Sequence, residues 1–348
     1  MVKWNKDHVF HSSRLQIFFY LVDKTTSRSN ITYMRDYLID CFSSPQHKHL
    51  LQFYKTDEIA MALNTLYDKR NKKNFTEVVF RGVPYADFDP SGHWSTWSLI
   101  RMFEGSLILS ASMSPVLVKT TTSHEEDYIL LRQHCKVSPR YYQDITIYSD
   151  FNPKILFRCQ EVGRTSLSTK LKLYNLSSEH VYATNLRKLV NFNSRTKKPV
   201  PNNPYYLEQA ERINDTKPKH AWLPFPDKVP SRVFSMQMSP LFSDTDFMNH
   251  VNNSSYVRFC LDCFAYAAKS NFYSHFEADC CYPVLEIDIQ YLDESYANDT
   301  LQITTWQSET DIGDLFFIIS REHKVIVKTF LRFGVTKLDK TSFIYSKM

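Results

Sequence analysis

Leu285, Ile287, Ile289 and Tyr291 alternate with Glu286, Asp288 and Gln290, which predicts a strand with one buried face. Upstream, Tyr256, Cys260, Cys263, Phe264 and Ala267 fall on one side of a helix. A strand over 232–238 precedes that helix, and further strands are expected over 300–307, 315–321 and 324–333. The first half repeats the order. A strand over 76–83 leads to a helix with Trp97, Ile100, Phe103 and Leu107 on one face, and strands follow near 144–149, 154–160, 167–174 and 181–192. Gly163 and Gly313 fall at equivalent hairpin turns, and the short connections make the sheet antiparallel. One long helix followed by an antiparallel sheet that wraps it, twice over, is an α+β pattern.

The repeat is also written in a motif. Asp87-Phe88-Asp89-Pro90-Ser91-Gly92-His93 and Asp244-Thr245-Asp246-Phe247-Met248-Asn249-His250 both read Asp-x-Asp-x-x-x-His, and each has an Arg eight residues past its His. A domain-sized interval separates the copies, so the chain is a tandem duplication. Seven of the fifteen prolines lie between 199 and 230, the composition of an extended connector. The expected division is an N-terminal extension over 1–74 with helices at 33–42 and 56–67, a first domain over 75–198, a linker over 199–230 and a second domain over 231–340.

Composition removes several function classes. Six glycines in 348 residues, with no GxGxxG or GxxxxGK[ST] stretch, argue against dinucleotide and phosphate-cradling folds. No GxSxG or HExxH is present, and no cofactor or metal is expected. Seven cysteines without framework spacing indicate a reducing compartment, and Cys260-x-x-Cys263 reads as two core cysteines on a helix. The apolar run at 15–22 is too short to span a bilayer, so no integral membrane segment is expected and the chain reads as cytoplasmic. Lys3, Lys6 and Arg14 leave an organellar leader open. The net charge of +5 is patchy. Lys69, Arg70, Lys72 and Lys73, and Arg195, Lys197 and Lys198, are either solvated loops or receivers of an acidic partner. Nucleic acid is not expected, because no accompanying motif is present.

Asp246 and His250 lie four apart just before a helix, whose first N–H groups favour negative charge. Such a site can stabilise an oxyanion while a carboxylate activates water. The competing reading makes Asp246 a loop cap and His250 a hydrogen-bonded structural residue.

The second copy continues as Val251-Asn252-Asn253-Ser254-Ser255-Tyr256, and Tyr291-Leu292-Asp293-Glu294-Ser295 closes the alternating strand. Together these resemble the Asp-x-Asp-x-x-x-His-Val-Asn-Asn-x-x-Tyr signature and the Tyr-x-x-Glu-Cys segment of acyl-ACP thioesterases and related acyl-CoA thioesterases. The resemblance implies a tandem, double hotdog fold, with two antiparallel sheets each wrapping a long central helix as an intrachain pseudo-dimer. A homodimer is left open. It also implies hydrolysis of a fatty acyl thioester on coenzyme A or acyl carrier protein. By position, Asp246, His250 and Glu294 are the implied catalytic residues, with Asn249, Asn252 and Asn253 at the substrate. Met248 replaces the family's Asn two before the His, and Ser295 replaces its Cys.

The first copy keeps Asp89 and His93 but departs afterwards, and the segment at 148–151 puts Phe151 where Glu294 would be. It reads as a degenerate half that shapes the acyl pocket, or as a second centre using Glu104 on the helix. Two other functions compete. A hotdog β-hydroxyacyl thioester dehydratase would pair His250 with Glu104 or His93 with Asp262. A non-catalytic acyl-thioester-binding protein would keep the fold without turnover.

Overall fold

A strand that alternation does not reveal lies at the middle of the fold. The computed structural model describes residues 76–113, 126–202, 222–246, 248–277 and 281–338, with 204, 207 and 220. In it β2 (Glu126–Val137) pairs antiparallel with β8 (Val284–Tyr291), from Arg132↔Gln290 to Lys136↔Glu286. From β2 the sheet continues through β5 (Ala183–Asn193), β4 (Ser166–Asn175) and β3 (Pro153–Val162) to β1 (Thr76–Val79). From β8 it continues through β11 (Lys324–Phe333), β10 (Asp314–Arg321) and β9 (Leu301–Gln307) to β7 (Phe234–Met238). A two-residue β6 (Lys198–Pro199) adds to β5. Edge to centre, the halves have the same order: β1-β3-β4-β5-β2 and β7-β9-β10-β11-β8. The two expected sheets are therefore one eleven-stranded antiparallel sheet, because the β2·β8 seam joins them.

The expected strand at 144–149 is not one. Helix α2 (Pro139–Asp144) ends there and a turn follows, while β2 takes the strand's place. The Ser-Pro start of α2 follows a general rule: Ser138 caps it by accepting from Arg140 N at 3.3 Å, and Pro139 loses no hydrogen bond in the first turn. β2 escapes the alternation rule because both its faces are polar near the seam. Gln133 and His134 are buried, and their partners come from the other half of the chain.

Helix α1 (Thr96–Met113) packs on β1 and β3, helix α3 (Asn253–Lys269) packs on β7, β9 and β11, and the two helices touch. Under α3 the core is aromatic: Phe264 stacks on Phe333 with ring centroids 4.2 Å apart and meets Phe276 edge-on. Each such side chain contributes about 1.5–3 kcal/mol on burial. Cys260 and Cys263 are fully buried on this face, and burial pushes the Cys260 thiol up to about 12. Gly163 and Gly313 occupy the β3–β4 and β9–β10 turns.

The connector docks on the opposite face of the sheet. Leu223 N donates to Asp288 Oδ2 at 3.3 Å, Arg132 Nη2 donates to Leu223 O at 2.5 Å, and Phe225 packs edge-on against Trp306 and Phe316. His220 meets the buried His134 at 2.9 Å, and His134 in turn meets Glu286 at 2.7 Å. The described residues belong to one compact unit, 73–348. The helices expected at 33–42 and 56–67, and the cluster of Lys69, Arg70, Lys72 and Lys73, lie outside the described residues. Among the described residues no helix is long and apolar enough to cross a membrane.

Candidate active site

Both motif copies fold into the same loop, built by backbone hydrogen bonds. Asp89 N donates to His93 O at 2.8 Å and Asp246 N to His250 O at 2.8 Å. The carboxylates of these two aspartates turn back on their own loops. Asp89 Oδ1 accepts from Ser91 N at 2.8 Å and His93 N at 3.2 Å, and Asp246 Oδ1 accepts from Met248 N at 2.8 Å and His250 N at 3.3 Å. The residue before each His has a left-handed backbone, Gly92 at φ 83° and Asn249 at φ 63°. The first aspartate of each motif ties the loop to the helix: Asp87 pairs with Arg101 at 3.2 Å, and Asp244 pairs with Arg258. The Asp87 and Asp244 carbonyls also accept from Ser95 N and Asn252 N at the helix starts. The repeated pattern is thus first a loop-and-helix clamp, and the recurring Arg is its other jaw.

The imidazoles then diverge. His93 is 4% exposed, and its Nδ1 lies 2.8 Å from Ser91 Oγ. Burial pulls its pKa below the usual value, with Asp89 opposing. The His250 side chain is 31% exposed, and its Nε2 lies 3.5 Å from Glu294 Oε2. A bridge between His250 and Tyr296 fixes that approach, and Tyr296 donates its hydroxyl to Glu294 Oε1 at 2.6 Å. The bond to Glu294 pushes the Tyr296 phenol up to about 12, so it remains a donor at neutral pH. Tyr256 Oη lies 2.8 Å from the buried Ser295 Oγ beneath this segment. The sequence reading did not include Tyr296. Its signal was the aromatic two residues past Glu294.

Residues 228–333 match the family model described as the acyl-ACP thioesterase C-terminal domain. This match takes in the loop, α3 and the Glu294 segment. Residues 228–333 carry an acyl-ACP thioesterase C-terminal domain. Fatty acyl thioester hydrolysis, read from the motif, is the activity of that domain. No curated protein matches the sequence. Solved structures match the fold. An acyl-ACP thioesterase from Bacteroides thetaiotaomicron VPI-5482 is 15% identical with a TM-score of 0.57, covering 75% of this chain and 98% of its own. The 12:0-ACP thioesterase from Umbellularia californica is 12% identical with a TM-score of 0.56, covering 76% and 98%.

Within the thioesterase fold, the remaining expected residues fall into place differently. Asn252 caps α3, its Oδ1 accepting from Ser254 N at 2.9 Å and its carbonyl from Ser255 N at 2.9 Å. The N–H groups expected to cradle an oxyanion are in large part bonded within the loop. Asn249 is exposed and sets the turn. Asn253 reaches the other half, donating to Glu104 Oε1 at 3.2 Å. Glu104 therefore faces α3 at the junction and does not lie beside His93. Met248 is 44% exposed at the rim. The pairings expected for a dehydratase do not form: His250 meets Glu294, and Asp262 meets Arg258. His93 bridges Thr146 as His250 bridges Tyr296, so counting two residues back from each bridge matches Glu294 with Asp144 and not Phe151. Asp144 is turned away, accepting from Tyr182 Oη at 2.9 Å and pairing with Arg140. Among the described residues no cluster of His, Cys, Asp and Glu could hold a metal ion.

Proposed function

We propose that Glu294 and His250 hydrolyse a fatty acyl group from acyl carrier protein, within a tandem pair of hotdog units at 75–198 and 231–340. The observation that carries this reading is the His250–Glu294 approach of 3.5 Å, partly open to solvent, on a loop clamped at the start of α3. Glu294 acts as general base: it takes a proton from water while the water oxygen attacks the thioester carbonyl. His250 hydrogen-bonds the carbonyl oxygen as negative charge grows there. When the C–S bond breaks, the thiolate takes up the proton and the carboxylic acid leaves. Asp246 is a positioning residue, since its carboxylate is used in holding the loop that carries His250. Tyr296 holds the Glu294 carboxylate through its hydroxyl. Acyl carrier protein is the preferred carrier because the domain match is to a family acting on it. The basic turn at Arg195, Lys197 and Lys198 suits an acidic partner.

The test is thiol release by the pure protein from one acyl group presented on acyl carrier protein and on coenzyme A. Glu294→Gln should lower kcat by about 100-fold or more with either carrier. A faster rate with coenzyme A would overturn the choice of carrier, and full activity in Glu294→Gln would overturn the mechanism.

A further inference from the structure

The segment that carries Glu294 is held by the tip of the β10–β11 hairpin. A bulge near the tip skips Ile326 in the register: Ile319 faces Val327, and Ser320 faces Val325. The Ile326 carbonyl accepts from Leu292 N at 2.8 Å and Asp293 N at 3.2 Å, which fastens the chain leaving β8 to the hairpin. Bulges beside active sites re-aim the chain in this way. Glu322 and His323 then take the left-handed backbone of a two-residue hairpin turn, at φ 49° and 67°, a conformation ordinarily left to Asn and Gly. The turn sets Arg321 and Lys324 opposite one another, and both reach Asp293, the residue before Glu294.

Asp293 is the point of attachment. Its Oδ2 accepts from Lys324 Nζ at 2.6 Å and lies 3.7 Å from Arg321 Nη2, while its Oδ1 accepts from the backbone N–H of Glu294 at 3.0 Å. The bond from Lys324 holds the Asp293 carboxyl below its ordinary range, so it stays charged at neutral pH. Arg321 turns its other terminal nitrogen to Asp299 Oδ2 at 3.1 Å, and that oxygen also accepts from Tyr296 N at 2.9 Å. The guanidinium lies 5.9 Å from the centroid of the Tyr296 ring, whose hydroxyl holds Glu294. One arginine thus spans Glu294, from the residue before it to the turn after it. A planar fork suits this, because it can point two donors at two carboxylates at once.

The first half shows that the turn alone does not need the ion pair. Thr146 bridges His93 as Tyr296 bridges His250, and Thr146 N donates to Ser149 Oγ at 3.0 Å, three residues on, where the second half has Asp299. A neutral hydroxyl closes that turn, and in that half the counterpart of Glu294 is turned away from the histidine. From this difference we propose that Arg321 is a positioning residue for hydrolysis: its fork across Asp293 and Asp299 fixes the Glu294 carboxylate against His250. The inference rests on the thioester-hydrolase reading and adds to it a residue outside the reacting groups. Ion pairs at partly exposed positions contribute little to stability, so the clasp is expected to show in turnover more than in melting.

The experiment measures kcat, KM and melting temperature on one acyl thioester for Arg321→Gln and for Arg332→Gln. Arg332 pairs with Asp314 at 2.7 Å at the opposite end of the same two strands and serves as the control. Arg321→Gln should lower kcat by about tenfold or more and leave KM within about twofold, since a small misplacement of a reacting group suffices for such a loss. Arg332→Gln should keep kcat within about twofold. Asp299→Ser, which copies the first-half turn, should lower kcat by about threefold or more, and it carries the comparison should Arg321→Gln fail to fold. A kcat in Arg321→Gln within about twofold of native, or equal losses in the two arginine variants, overturns the inference while leaving hydrolysis standing. If the native protein cleaves no thioester, the hydrolase reading fails by itself, and amide hydrogen exchange then decides. Faster exchange over 292–299 in Arg321→Gln but not in Arg332→Gln supports the clasp, and equal exchange in the two overturns it.

Discussion

One residue separates the two copies of the loop more sharply than any other. Glu294 faces His250 and is held by Tyr296, whereas its counterpart Asp144 bonds Tyr182 and Arg140. The Tyr296 hydroxyl is the feature of the site most exposed to test. Tyr296→Phe should lower kcat by about tenfold without loss of stability, because it removes one charge-assisted hydrogen bond at a partly exposed position. Steady-state kinetics with a melting curve would check both halves of that statement. His93 gives a pH-dependent expectation. Burial holds its folded pKa below the ordinary 6.5, and His220 is shifted the same way by burial and by His134. The unfolded chain therefore takes up these protons first, and stability is lost as pH falls below 6.5 toward the lowered folded values. Melting temperature should drop through that window, and His93→Asn should make the drop shallower. Spacing in the sequence singled out Asp246 and His250, and the resemblance to acyl-ACP thioesterases implied Glu294 as their companion. It did not show that Asp246 would spend its carboxylate on two backbone N–H groups, because the same four-residue spacing serves both a catalytic acid and a turn cap.

At the scale of elements, the loops are held by ion pairs to the following helices. Asp244 is buried against Arg258, so Asp244→Asn should cost about 1–3 kcal/mol and loosen the loop, discounted for the partial exposure of the arginine. Denaturant unfolding measures this directly. Gly313 marks the tightest backbone approach: a Cβ there would lie 2.5 Å from the Phe333 carbonyl oxygen, which belongs to a ladder and cannot move aside. Gly313→Ala should destabilise by about 1–3 kcal/mol on steric grounds. Most of these elements were legible. The period-2 runs of β8 and β11 and the apolar faces of α1 and α3 depend on local patterning, and they lie where the pattern put them. β2 was not legible, since its buried Gln133 and His134 are satisfied by Tyr291 and Glu286, more than 150 residues away. No local pattern can announce a polar strand whose partners come from the other half.

At the scale of the whole molecule, the two halves share one sheet and differ in the surroundings of their histidines. Both have apolar cores, but the second has an open His–Glu pair, and the first has a closed histidine and a buried Arg187. The symmetry of the halves was visible in the repeated motif, and their joining through β2 and β8 was not, because a seam between similar sheets leaves no mark in periodicity. The division of labour is tested most directly by one matched pair of substitutions, Glu294→Gln and Asp144→Asn, assayed for kcat/KM on acyl carrier protein thioesters. The second-half change should lower activity by about 100-fold or more, and its first-half counterpart should change it by no more than about twofold. Equal losses in the two variants, or full activity in Glu294→Gln, would contradict the assignment of the chemistry to the second half.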